Sequence, residues 1–298
     1  MPRPPPQPIF VYCGLEGGVT SCAVVSTADS AGILVGTSKG RCELYDADTH
    51  LLVRTVYVDD EKRAITSVGS IRNSLWVHVR NHAVIILGAD DKPQTTMELS
   101  HCGYCRTIVV GRWLVYPDTN NEVHYTRFWS DSLQTPKAVQ LKNLPLSITS
   151  VDEQIFIGDE SGVVQQIYPS EGVVKEVSLF SEPVFSLASS STLLACGSAK
   201  SPIVLLSVED ICGDRRKIDY PPSATGVGSL AFSTTGKTLT AGFWDGSVRA
   251  FSVQKLTILL YLDFHSETIT QIQWSEVDGD ERVVVASMDE RLSLWKFK

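Results

Sequence analysis

Apolar residues along this chain come in short runs rich in Val, Ile, Leu and Thr, bounded by Gly, Ser, Asp and Asn. No stretch keeps helical spacing for three turns, so the pattern predicts strands throughout and an all-β chain. At a coarser scale one unit returns: a run opening V/I, T/S, S/Q, a second run ending near Gly or Ser, a turn, and a third run. Seven such units begin near Val19, Ile65, Arg106, Ile148, Val184, Val227 and Ile269. Their mean spacing of about 42 residues is that of a four-stranded propeller blade.

The last two units carry the pattern most fully. Unit six reads VGSLAFSTTGKTLTAGFWDGSVRAFS and unit seven ITQIQWSEVDGDERVVVASMDERLSLWKF. Asp245 stands six residues before Phe251, and Asp289 six before Trp295. These segments resemble WD repeats. Unit three, RTIVVGRWLVYPDTNNEVHYTRF, is degenerate, and unit five keeps Gly197 and Ser198 but has Lys200 where the turn Asp would stand. Unit seven has no fourth strand after Trp295. A sheet left with a free edge invites aggregation, so Ile9, Phe10, Val11 and Tyr12 are expected to fill the gap. The expectation is therefore one seven-bladed WD-repeat β-propeller over residues 1–298. Residues 1–8 would be a proline-rich lead-in and 9–14 the closing strand, so that the two chain ends close the ring.

Composition narrows the function classes. The 26 Lys and Arg against 34 Asp and Glu leave a net charge of -8, and the longest basic cluster is Arg215, Arg216 and Lys217. Such a surface repels phosphate, so nucleic acid and anionic membranes are poor partners. Apolar stretches such as Leu256–Leu262 fall far short of the roughly 20 residues that span a bilayer. The opening MPRPPPQPIF lacks the apolar core of a secretory signal. The seven cysteines, at 13, 22, 42, 102, 105, 196 and 212, are odd in number and scattered, as free thiols of an intracellular protein would be.

Several constellations imitate chemistry. His265, Ser287 and Asp289 could be read as a hydrolase triad. The WD pattern instead assigns His265, Ser287, Asp289 and Trp295 to a buried hydrogen-bond chain that fixes a turn, because unpaired buried polar groups are costly. AFSTTGKT, residues 231–238, imitates a phosphate loop, but LTAGF after it is a strand where a helix N-terminus would be needed. HCGYC, residues 101–105, has no second CxxC for zinc, and it leads into a strand rather than the helix a redox pair requires. No catalytic residue, metal or cofactor is expected. The two PxxP spacings, Pro2 to Pro5 and Pro5 to Pro8, would either dock an aromatic groove or simply stiffen the approach to the first strand. Acidic groups at Asp59, Asp60, Glu61 and at Asp278, Asp280, Glu281 read as solvated hairpin tips. Trp244 falls in a turn without a core role, and Phe243 replaces the serine of the polar chain, either as packing or as a contact. These two and Tyr104 of HCGYC are the candidate partner-binding residues.

PPPQPIFVYCG, HCGYCRTIV and above all LTAGFWDGSVRAFSVQKLTILLYLDFHSETITQIQW with VVVASMDERLSLWKF resemble the G-protein β-subunit-like protein 1 family, whose fungal members are called ASTRA-associated protein 1. The C-terminal seventy residues carry most of this resemblance. It implies a non-enzymatic propeller working with the triple-T co-chaperone complex and its AAA+ ATPase and Hsp90 associates. The role implied is maturation and stability of phosphatidylinositol-3-kinase-related kinases, with a link to chromatin regulation in fungi, a nuclear and cytoplasmic location, and a monomeric propeller inside a larger complex. A cullin ubiquitin-ligase receptor is the rival. Such receptors carry WDxR, yet the corresponding places read Tyr45-Asp46-Ala47-Asp48 and Trp295-Lys296-Phe297-Lys298, without the Arg. A heterotrimeric G-protein β subunit would need a long N-terminal helix where this chain has proline.

Overall fold

The recurrent opening of each unit is the seam between blades. In the computed structural model, which describes residues 6–26, 31–129, 132–133, 136–169, 171–277 and 280–297, the strands form seven antiparallel sheets arranged as a seven-bladed propeller. Their innermost strands are Val19–Ser26, Ile65–Ile71, Ile108–Val110, Pro145–Val151, Ser186–Ser189, Val227–Phe232 and Ile269–Val277. The Ser hydroxyls of the V/I–T/S–S/Q pattern stitch blades one, two, four, five and six each to the next. Ser21, Ser147 and Ser186 donate to the carbonyls of Ile65, Val184 and Val227 at 2.8, 2.8 and 3.0 Å. Ser67 and Ser229 accept from the amides of Thr107 and Ile272 at 3.0 and 2.9 Å. Thr270 Oγ1 donates to the Val19 carbonyl at 2.6 Å, joining the last blade to the first.

The middle residue of that pattern has a separate task. Register shifts fall between Val19 and Ser21, Ile65 and Ser67, Pro145 and Ser147, Val227 and Ser229, and Ile269 and Gln271. A bulge re-aims the residue it displaces. Thr20, Thr66, Leu146, Gly228 and Thr270 accordingly line the central channel, while the residues before them in the first, second, sixth and seventh blades, Val19, Ile65, Val227 and Ile269, are fully buried.

Seven buried apolar clusters lie between neighbouring blades, one for each interface. Each sheet therefore buries both faces, against the blade before and the blade after. Burial of this kind drives the closure, because no sheet can hide its apolar face alone. The ring is completed as the sequence implies. Phe10–Cys13 pairs antiparallel with Arg291–Trp295, with Phe10 opposite Leu294 and Tyr12 opposite Leu292, and Tyr12 packs edge-on against Tyr45 of the first blade at 4.9 Å.

Unit boundaries differ from the sequence expectation in the middle of the chain. The fourth inner strand starts at Pro145 rather than Ile148, and the fifth ladder starts at Ser186, although the Phe185 amide already bonds the Gly197 carbonyl. The third differs most. Thr107, like Ile272, donates its amide to the serine of the preceding blade, so Arg106 occupies the Ser position of the pattern rather than its head. The third blade is also irregular outside: Glu122–Trp129 pairs with both Ser132–Leu133 and Lys137–Gln140. No helix among the described residues is long and apolar enough to cross a membrane. Met1–Pro5, with most of the PxxP run, and Asp278 lie outside the described residues.

Candidate functional site

Blade seven holds a buried polar chain, but not through Ser287. His265 Nδ1 lies 2.9 Å from Asp289 Oδ2, His265 Nε2 lies 2.7 Å from Ser293 Oγ, and Trp295 Nε1 donates to that same Oγ at 2.7 Å. A carboxylate only accepts, so the proton belongs on Nδ1. The Ser293 hydroxyl then donates to bare Nε2 and accepts from the indole. Burial pushes the His265 pKa down, against the pull of Asp289, and the neutral ring suits this arrangement. Ser287 stands outside the chain that the repeat pattern assigns it to: its hydroxyl donates to the Glu267 carbonyl at 3.0 Å and accepts from the Asp289 amide at 3.2 Å. Side chains two apart on a strand share a face, which puts Ser293 and not Ser287 beside Trp295. The triad with Ser287 as nucleophile fails on the same geometry, because Nε2 faces Ser293 instead, and Ser293 Oγ, fully buried and accepting from Trp295, is out of a substrate's reach.

Blade six replaces this chain with an arginine. Arg249, at the place of Ser293, is buried; it donates to Ser247 Oγ at 2.6 Å, and its guanidinium lies over the rings of Phe243 at 4.5 Å and Tyr261 at 4.9 Å. Phe243 is 0% exposed, edge-on to Tyr220. It is a core residue supporting a buried cation and, unlike the partner contact the sequence suggests, presents no surface to a partner.

Trp244 and Tyr104 lie elsewhere, at one end of the central channel. Because strands alternate in direction, the loops entering the inner strands and the turns between second and third strands open on the same face. Together they form the mouth of a cavity of about 820 Å³. Trp244 is half-buried there, edge-on to Phe185 at 5.1 Å. A methyl group at Gly226, whose φ is +57°, would overlap the Trp244 ring, so glycine is what lets the indole lie flat on the backbone. Tyr104 is 70% exposed, and the Arg80 guanidinium lies 4.6 Å from its ring centroid. Arg80 Nε donates to the Cys102 carbonyl at 2.7 Å, with Nη2 on the same oxygen, which fixes the HCGYC loop.

Arg106 crosses the channel from blade three. Its Nη1 donates to the Thr66 carbonyl at 3.1 Å and Gln271 Oε1 at 2.6 Å; its Nη2 donates to the carbonyls of Thr20 at 3.0 Å and Thr270 at 2.9 Å. One side chain thus ties blade three to blades one, two and seven. Burial lowers its pKa from the usual arginine value without removing its charge.

The remaining motifs have structural roles. In HCGYC, His101 and Cys105 are buried and Cys102 is exposed, and burial pushes the Cys105 thiol up to about 12. Among the described residues no group of three or more His, Cys, Asp or Glu converges as a metal site would. AFSTTGKT spans the hairpin between Val227–Phe232 and Thr238–Phe243, with the Gly236 amide on the Ser233 carbonyl at 2.8 Å. Asp59 is a buried partner of Arg63, at 2.7 Å, rather than a solvated tip.

Comparison with known proteins agrees with this architecture. Residues 193–277 match the anaphase-promoting complex subunit 4 WD40 domain family. ASTRA-associated protein 1 of Schizosaccharomyces pombe is 28% identical over 172 residues, which take in 50% of this chain and 46% of that protein. The match thus spans less than half of that relative. The crystal structure of the computationally designed Ika8 protein superposes with a TM-score of 0.68, covering 95% of this chain and 97% of its own at 14% identity. That likeness shows the fold alone.

Proposed function

We propose that this propeller is a non-enzymatic scaffold subunit of an ASTRA or triple-T type co-chaperone assembly that supports phosphatidylinositol-3-kinase-related kinases, and that it holds its partners at the channel mouth. The similarity to ASTRA-associated protein 1 supports the assembly. The mouth is supported by one observation: the aromatic residues Tyr104, Trp244 and Phe185 gather where seven blades converge, and such side chains give large contact area at low entropic cost. By the family resemblance, the partners are triple-T subunits, the AAA+ ATPase and Hsp90 machinery and the kinases themselves, in nucleus and cytoplasm, with the chromatin link following from the fungal complex. Direct nucleic-acid binding plays no part in this reading.

The test is affinity purification of the tagged chain from its own cells, wild type beside a Tyr104→Ala, Trp244→Ala double variant. The expected result is triple-T subunits and kinases on the wild type and a loss of about tenfold or more on the variant, with its melting temperature close to the parent's. A cullin adaptor in their place, or equal recovery on both, would overturn the proposal.

A further inference from the structure

The charge of the channel is opposite to that of the chain. Of the 24 residues lining the cavity, the charged ones are Arg80 and Arg106, and none is acidic, in a chain where acids outnumber bases by 34 to 26. Neither arginine has a carboxylate partner among the described residues. Arg106 spends all four Nη hydrogens on carbonyl and amide oxygens, so it supplies a fixed positive field rather than a docking hand. Arg80 is different. Its Nε and Nη2 hold the Cys102 carbonyl and one face lies over Tyr104, while Nη1 has no acceptor among the described residues.

Three carboxylates of the loops and turns at this face are already engaged. Asp289 pairs with His265, Glu182 with Lys200, and Glu290 accepts from the Gly17 amide at 2.9 Å. Apolar side chains share the lining with the two arginines, among them Phe185, Trp244, Ile108 and Leu146. A pocket of a few hundred Å³ or more with few, well-placed polar groups is the usual form of a binding site.

We propose that this mouth receives an extended protein segment carrying a single carboxylate side chain among apolar ones, the carboxylate against Arg80 and Tyr104 and an apolar side chain entering the channel. This rests on the reading that partners dock at the mouth. The net charge of -8 explains why the segment is acidic at one place only. A long polyanion would meet the net negative charge of the chain, whereas a lone carboxylate feels the two arginines at close range, and at about 0.15 M salt charges beyond roughly 8 Å are largely screened.

The experiment is selection of a randomised displayed peptide library on the purified full-length chain at about 0.15 M salt, followed by titration of a fluorescein-labelled selected peptide. Expected is enrichment of Asp or Glu beside apolar residues by about fivefold or more over Lys and Arg. The labelled peptide should then lose about tenfold in affinity when its acid is changed to the amide. Arg80→Gln, which keeps a donor for Cys102, should erase the acid preference. Tyr104→Ala should weaken binding in a protein whose melting temperature confirms folding. Enrichment of basic peptides, no preference for acids, or an acid preference that survives both variants would overturn the proposal. The library reads the chemistry of the mouth, whereas the purification from cells reads the assembly. Acidic peptides with no triple-T partners would therefore sink the assembly alone, and triple-T partners lost in the double variant without acid selection would sink this inference alone.

Discussion

Two serines of blade seven separate the observed polar chain from the one the repeat pattern suggests. Ser293→Ala removes the hydroxyl between His265 Nε2 and Trp295 Nε1, both 2.7 Å away and buried. One acceptor and one donor are then left without partners, at about 1–3 kcal/mol each, so the expected loss is about 2–6 kcal/mol. Ser287→Ala removes a bond to the carbonyl of Glu267, an exposed residue that water reaches, and one from the Asp289 amide; the expected loss is about 1–2 kcal/mol. For a chain of this length each kcal/mol moves the midpoint by roughly 2 °C, giving falls of about 4–12 °C and about 2–4 °C. Thermal and urea denaturation followed by tryptophan fluorescence reads both. A Ser287→Ala loss equal to or larger than that of Ser293→Ala would refute the assignment of the chain.

Phe243→Ala should cost about 3–5 kcal/mol in urea denaturation, as a buried aromatic does, while the protein that remains folded keeps its partners in the purification assay. Deleting residues 1–14 uncovers the Arg291–Trp295 edge and the Tyr12 pocket; loss of the cooperative transition and aggregation on size-exclusion chromatography are expected, and an intact melting curve would contradict closure by this strand. Acid should weaken the fold well before carboxylates titrate. Burial holds the His78 pKa at about 3, and those of His101 and His265 are also lowered by burial. A lowered folded-state pKa gives stability that is present above the unfolded value of about 6.5 and lost as pH falls toward the folded one, so His78 alone removes about 2 kcal/mol between pH 7 and 5. Urea midpoints that stay flat over that window would contradict it.

The architecture was legible because the repeat encodes its own seams. The Ser of V/I–T/S–S/Q reaches the next blade, the bulged residue before it faces the channel, and the apolar residue at the head is buried, so one short motif fixes three environments. Where a blade departs from the motif the boundary slips: Pro145 opens blade four without Val or Ile, and blade three puts Arg106 in the Ser position. The polar chain was legible as a set of residue types but not as a path, since Ser287 and Ser293 both lie near the Asp289 turn and only strand pairing tells which shares a face with Trp295. Period-two alternation from Trp295 back through Ser293 was the available signal. Phe243, in the place of the polar chain's serine, could be read as packing or as a contact, and alternation with Ala241 was the signal for the core. Arg80 and Phe185 carried no local signal at all, because their role comes from convergence of loops far apart in sequence.

The central claim is that partners sit on the channel mouth. Its most direct test places a photo-crosslinking amino acid at Tyr104 and, as a reference on the exposed outer strand of blade four, at Val173, with irradiation in cells and identification of the adducts. Crosslinks from position 104 to co-chaperone or kinase partners, with position 173 silent, are the expected result. Adducts to those partners from position 173 and none from 104 would contradict the account.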